Sequence, residues 1–288
     1  MVPGGAVSAM RLIASLAMAG SFVPGAAHAE RSRVLVRYAD VTIETIVDGK
    51  GPAVVLLPSL ARDSDDYDDV ADGLVRRGLR VLRPQPRGIG KSSGGPGNIT
   101  LHDLARDVAE VIRQLGAGRA VVIGHAYGNW VARMTAVDHP GLVRGVVIAA
   151  AASKEYDPAL RAEIDKAGDP TLPETVRLAA LRKAFFAPAS DPRSWLSGWH
   201  PHLREAQRAA AAAVPQQQWW SGGLAPLLDL QADRDPFRLE STRQEMKNEF
   251  GERVTVVVIR NASHALFPER PQEVVAALVE WIARLPAK

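Results

Sequence analysis

The sequence contains no cysteine. Disulfides, thiolate metal sites and cysteine nucleophiles are therefore excluded, and stability has to come from a hydrophobic core. A large excess of charge of one sign is absent too: 35 Lys and Arg face 32 Asp and Glu, a formal +3. So small a surplus gives no electrostatic footprint for nucleic acid. Neither CxxC nor HExxH occurs. The most apolar stretch near the N-terminus, residues 12–23, falls short of the ~20 residues that a membrane-spanning helix needs. One further absence is local: residue 126 is an alanine in a setting where a nucleophile is expected.

That N-terminal stretch has another reading. Arg11, the apolar run and the small-residue pattern Ala27-His28-Ala29 together have the three parts of a secretory signal peptide. The expectation is a cleaved leader over residues 1–29 and a periplasmic or secreted protein that does not associate with the membrane. Cleavage removes Arg11 alone among charged residues, leaving 34 − 32 = +2.

At 288 residues and 47% hydrophobic, the chain is long enough to bury a full core as one large domain, or as a domain plus a lid. Its pattern alternates. Strands are expected at 33–38, 41–47, 53–57 and 80–82, with a helix over 65–77. Thr100 can cap the next helix, whose Leu104, Val108, Val111, Ile112 and Leu115 share one face. A strand at Val121, a helix opening near Tyr127, a strand over 145–150 and another over 227–230 complete the series. Strands alternating with helices in this way make a largely parallel sheet with helices on both faces. The rhythm breaks at 153–222, which is helical in composition and holds Phe185, Phe186, Trp195, Trp199, Trp219 and Trp220. The expected organisation is a core of residues 30–152 and 223–288, with 153–222 as a helical cap over the carboxyl ends of the strands, where such sheets bind ligands.

The segment Val121-Val122-Ile123-Gly124-His125-Ala126-Tyr127-Gly128 reads as a buried strand, a glycine-flanked sharp turn and a helix start. This is the G-x-S-x-G nucleophile elbow with alanine for serine. Around it the chain resembles the α/β-hydrolase fold family over nearly all of the sequence after the leader. Residues 54–60 look like its strand and oxyanion loop, with Pro58-Ser59 where the family commonly has His-Gly. Gln85-Pro86-Arg87-Gly88-Ile89-Gly90-Lys91-Ser92 looks like D-x-R-G-x-G-x-S, with Gln85 replacing the acid. Ala232-Asp233-Arg234-Asp235-Pro236 looks like the acid loop, with Asp233 the competing carboxylate. Asn261-Ala262-Ser263-His264, followed by Pro268, Glu269, Pro271 and an amphipathic helix through Trp281, looks like the histidine loop.

The resemblance implies an α/β fold and, in chain order, a nucleophile position at Ala126, an acid at Asp235 and a base at His264. It implies oxyanion donors from the backbone of Leu60 and Tyr127. Ser59, His125, Trp195, Trp199 and Trp219 are expected to shape a pocket for a small-molecule substrate, with no cofactor and no metal. Oligomeric state is not encoded in any of these features. Gly90-Lys91-Ser92 lacks the first glycine of a phosphate loop; His200 and His202 have no third ligand at metal spacing. Asp65, Asp66, Asp68 and Asp69 lack the glycine and terminal glutamate of a calcium loop and read as a solvated helix face.

Four chemistries fit an alanine at the elbow. The serine of a hydrolase has been replaced by engineering; or His264 and Asp235 activate a water for non-covalent hydrolysis of an apolar ester, lactone or related carbonyl compound. Otherwise, the same pair deprotonates a substrate, as in cofactor-independent lyases or oxygenases of this fold, or the pocket only binds. A retained acid and histidine argue against binding alone.

Overall fold

The computed structural model describes Met1 and residues 31–94, 98–154 and 156–286. The expected leader, Met1 apart, lies outside the described residues. An eight-stranded sheet forms the centre: β1 (Arg31–Tyr38), β2 (Val41–Asp48), β3 (Ala53–Leu57), β4 (Arg80–Pro84), β5 (Ala120–His125), β6 (Val143–Ala149), β7 (Leu227–Ala232) and β8 (Val254–Ile259). Their spatial order is β1-β2-β4-β3-β5-β6-β7-β8. The β1–β2 and β2–β4 pairs are antiparallel, and every later pair is parallel.

Because both faces are covered, the central strands are continuous apolar runs rather than alternating ones. β3 and β5 are buried at every position. Helices α1 (Asp68–Val75), α2 (Leu101–Leu115) and α3 (Tyr127–Asp138) follow β3, β4 and β5 respectively. Thr100 caps α2 as expected, in a reciprocal capping box with Asp103. The stretch between β6 and β7 holds α4 (Leu160–Ala167), α5 (Glu174–Ala184), α6 (Arg204–Ala212) and α7 (Gln216–Trp219). Helices α8 (Glu245–Phe250), α9 (Leu266–Glu269) and α10 (Pro271–Arg284) complete the chain. One core cluster packs α2 and α3 on one face, the other packs α1 and α10 on the opposite face. A third joins Leu160, Leu181, Phe185 and Trp195 between β6 and β7 to Phe237 and Ala265 beneath them. Among the described residues no helix is long and apolar enough to cross a membrane.

Two details depart from expectation. The helix expected over 65–77 is a 3-10 turn, Ser64–Tyr67, followed by the shorter α1. Its acidic residues are also not one solvated face. Asp66 is almost enclosed and takes two hydrogen bonds from Arg62, one of them Nε to Oδ2 at 2.6 Å. Asp65 pairs with Arg33, and Asp68 with Arg31 and Arg83.

The strand order reverses at β3, with β4 on one side and β5 on the other. In open α/β sheets this reversal opens a crevice at the carboxyl ends of the strands. The loop after β3, the turn after β5, the acid loop after β7 and the histidine loop after β8 all lie at those ends.

Candidate active site

The elbow is enforced by its glycines. A Cβ on Gly124 would lie 2.3 Å from the Gly128 carbonyl oxygen, and one on Gly128 would lie 2.6 Å from the Leu57 oxygen. Both obstacles are backbone, so no larger residue fits either position. Ala126 between them has φ 46° and ψ −112°, a conformation costing an L-residue about 1–3 kcal/mol. Its surroundings hold it there: the Ala126 N–H donates to the Ala149 carbonyl at 2.9 Å and its carbonyl accepts from Asn129 N at 3.0 Å. The Asn129 side-chain amide donates to the same carbonyl. The turn directs Ala126 into a cavity and leaves the Tyr127 N–H, at the first turn of α3, without a partner in its own helix.

Leu60 lies in the same cavity wall. Its loop is fixed on both sides: Ser59 N donates to the Tyr67 hydroxyl at 3.2 Å and Ala61 N to Gln207 Oε1 at 2.7 Å. The Ala61 carbonyl accepts from His200 N at 2.8 Å.

Asp235 and His264 meet with Oδ2 and Nδ1 3.0 Å apart. The other carboxylate oxygen, Oδ1, accepts from Phe237 N at 2.9 Å, so the acid is oriented from both sides. Asp233 is not at the histidine; it accepts from Ala262 N at 3.3 Å instead. His264 packs at a tilt against Phe237, ring centroids 4.4 Å apart, and lines the cavity with Ala126. Glu269 secures its loop, accepting from Ser263 N at 2.6 Å and from Ala187 N at 2.7 Å.

The cavity measures about 490 Å³, within the range of small-molecule sites. Its wall is largely apolar and includes Ser59, Trp199 and Trp219, as the sequence suggests. Trp219 stacks on Trp130 at 5.3 Å, and its indole Nε1 is buried without a partner among the described residues. Two expected wall residues lie elsewhere. Trp195 sits behind the wall, 5.4 Å from Phe185 and 4.5 Å from the Arg62 guanidinium. His125 is fully buried beneath the site, bonded through Nε2 to the His264 carbonyl at 2.8 Å and through Nδ1 to the Tyr67 hydroxyl at 2.9 Å. A carbonyl oxygen can only accept, which fixes the proton on Nε2 and leaves Nδ1 to accept from Tyr67. Burial, and then the nearby His264, push the His125 pKa down to about 3.

His200 pairs with Asp63 at 2.9 Å rather than facing the cavity. Among the described residues no three His, Cys, Asp or Glu side chains gather to hold a metal ion. Sequence reasoning missed Tyr67, Arg62, Gln207 and Asn129. Of these only Asn129 carried a local signal, standing directly beside the elbow.

A model of the alpha/beta hydrolase family matches residues 54–278. The chain is 35% identical over 106 residues to an sn-1-specific diacylglycerol lipase from Danio rerio, covering 36% of this chain and 33% of the lipase. It is 34% identical over 121 residues to a fluoroacetate dehalogenase from Burkholderia, covering 40% of each. Both alignments thus span less than half of the relative. Among solved structures, an esterase from Exiguobacterium antarcticum superposes with a TM-score of 0.72 at 16% identity, over 87% of this chain and 99% of the esterase, a likeness of fold.

Proposed function

The chain belongs to the alpha/beta hydrolase family, and on that footing we propose that it is a hydrolase of a small to medium apolar ester, lactone or related carbonyl compound. The observation that carries this reading is the His264–Asp235 pair at 3.0 Å, opening into the same largely apolar cavity as Ala126. The names of the relatives, a lipase and a dehalogenase, agree with hydrolysis but differ in the bond attacked.

With a methyl group at residue 126 the covalent route has no nucleophile. Removing the serine of a working triad costs on the order of a millionfold in kcat. In the proposed mechanism a water beside the Ala126 methyl takes the hydroxyl's place. His264 removes its proton as the oxygen attacks the carbonyl carbon, while Asp235 holds the Nδ1 proton and stabilises the imidazolium. The tetrahedral oxyanion is met by the N–H groups of Leu60 and Tyr127. Collapse breaks the bond to the leaving oxygen, which recovers the proton from His264; ester and water become acid and alcohol.

The test is turnover of short-chain aryl esters by the chain, by Ala126→Ser and by His264→Ala. Measurable hydrolysis that is lost in His264→Ala and unchanged in Ala126→Ser supports the water mechanism. A gain of several orders of magnitude in Ala126→Ser marks 126 as a vacated serine position, with the same substrate class. Ester turnover indifferent to His264→Ala and Asp235→Asn would sink the catalytic reading.

A further inference from the structure

The cavity wall has a polarity gradient along its depth. At the bottom, Asn129, Phe237 and His264 are buried and Ala126 is half-buried. Toward solvent the wall is completed by three cations from three separate segments: Lys154 after β6, Arg161 on α4 and Arg208 on α6. Among the described residues no carboxylate lines the cavity.

The carboxylates behind the rim do not balance it. Lys154 Nζ lies 2.8 Å from Glu249. Asp165, however, is shared by Arg204 at 3.0 Å and Arg208 at 2.8 Å. The other partner of Arg208, Glu205, is 82% exposed at its side chain. Arg161 has no carboxylate within 4.0 Å among the described residues, and Asp165, already held by Arg204 and Arg208, attracts it only at longer range. Among the described residues, one guanidinium at the mouth therefore has no carboxylate in direct contact. Its planar fork matches a carboxylate in two parallel hydrogen bonds.

We propose that the substrate is amphipathic, with an apolar body filling the cavity down to His264 and a carboxylate at the far end held at the mouth by Arg161, with Lys154 and Arg208 beside it. This rests on the hydrolase reading, and it narrows that reading to esters of carboxylated acids or alcohols. The rim admits the anion without desolvating it fully, so its contribution is selectivity and salt-sensitive affinity rather than a large gain in binding.

Monomethyl and dimethyl suberate test it, since they present the same ester to the site and differ only at the far end, a carboxylate in one and a neutral methyl ester in the other. Binding is read within seconds by quenching of tryptophan fluorescence, Trp199 and Trp219 being in the wall. At about 20 mM salt the monoester should bind about tenfold more tightly than the diester, and the preference should shrink toward unity at about 0.5 M salt. It should shrink likewise in Arg161→Gln/Arg208→Gln, and in Arg161→Gln alone, whose side chain is exposed and whose loss leaves the fold intact. Equal affinities, a preference indifferent to these substitutions and to salt, or no binding of either ester at millimolar concentration overturns the proposal. Methanol release, and its loss in His264→Ala, reads the hydrolase function separately. Charge-dependent binding without turnover keeps the rim and removes the reaction; turnover without charge preference does the reverse.

Discussion

The Tyr67 hydroxyl lies 2.9 Å from His125 Nδ1 and receives the Ser59 N–H at 3.2 Å, so one buried oxygen joins the loop after β3 to the strand that ends at the elbow. Through its other nitrogen His125 reaches the backbone of His264. Three loops from distant parts of the chain are thereby registered against one another below the cavity. Tyr67→Phe keeps the ring packing and deletes that oxygen. Two buried groups lose their partner, at about 1–3 kcal/mol. Thermal denaturation should show a midpoint lowered by several degrees, and an unchanged midpoint would mean that the bridge adds nothing.

Ala126 offers the opposite sign. Glycine adopts φ 46° without strain, recovering about 1–3 kcal/mol against about 0.5–1 kcal/mol of added chain entropy in the unfolded state. Ala126→Gly should stabilise the protein by about 1 kcal/mol in urea denaturation. Destabilisation would show that the methyl packs more usefully than its backbone is strained.

Acid sensitivity follows from His125. Its folded pKa of about 3 lies below the unfolded value of about 6.5. Between these values the unfolded chain carries a proton that the native state refuses, so the unfolded state gains as pH falls. The His125 contribution is fully present above about pH 6.5 and is lost as pH drops toward 3, by about 1.4 kcal/mol per pH unit. Lowering the pH from about 6.5 to about 5 should therefore cost about 2 kcal/mol. In His125→Gln this slope should be shallower by the same amount; identical slopes would reject the assignment.

Arg62 is fully enclosed, with its guanidinium 4.5 Å from the Trp195 ring and 4.7 Å from the Trp199 ring, and it donates to the Ser197 carbonyl at 2.6 Å. Arg62→Met leaves the Asp66 carboxylate uncompensated, and burial already raises its pKa. A loss of about 3–5 kcal/mol is expected. Adding Asp66→Asn should restore part of it, a coupling that a double-mutant cycle measures; strict additivity would mean that the two side chains act independently.

The fold was legible because its punctuation is physical. Gly124 and Gly128 are where backbone approaches backbone, the apolar runs of β3 and β5 have the pattern of covered strands, and Thr100 with Asp103 marks a helix start. The contact between Asp235 and His264 was legible from their order along the chain and from the loops that carry them. Which aromatic ring faces the cavity was not. Trp195 and Trp199 are four residues apart in one aromatic-rich segment and both pack on Arg62, but only the first also packs on His125 and Phe186, behind the wall. His125 was misplaced for a related reason: a histidine beside an elbow can point up or down, and the choice was made by Tyr67, which is 58 residues earlier. Asp66 was read as part of a solvated face because a run of acidic residues looks solvated unless its partner is recognised, and that partner, Arg62, lies just before the run.

The close approach of Gly128 to the Leu57 and Pro58 carbonyls bears on how this chain tolerates change. Residue 126 takes its shape from neighbours on either side rather than from anything its own side chain does. On the proposed reading it is a socket, in which the reactive atom is a removable fitting. A lineage or a laboratory can exchange that fitting one codon at a time while the surrounding scaffold stays in tune, and the reverse exchange is equally short.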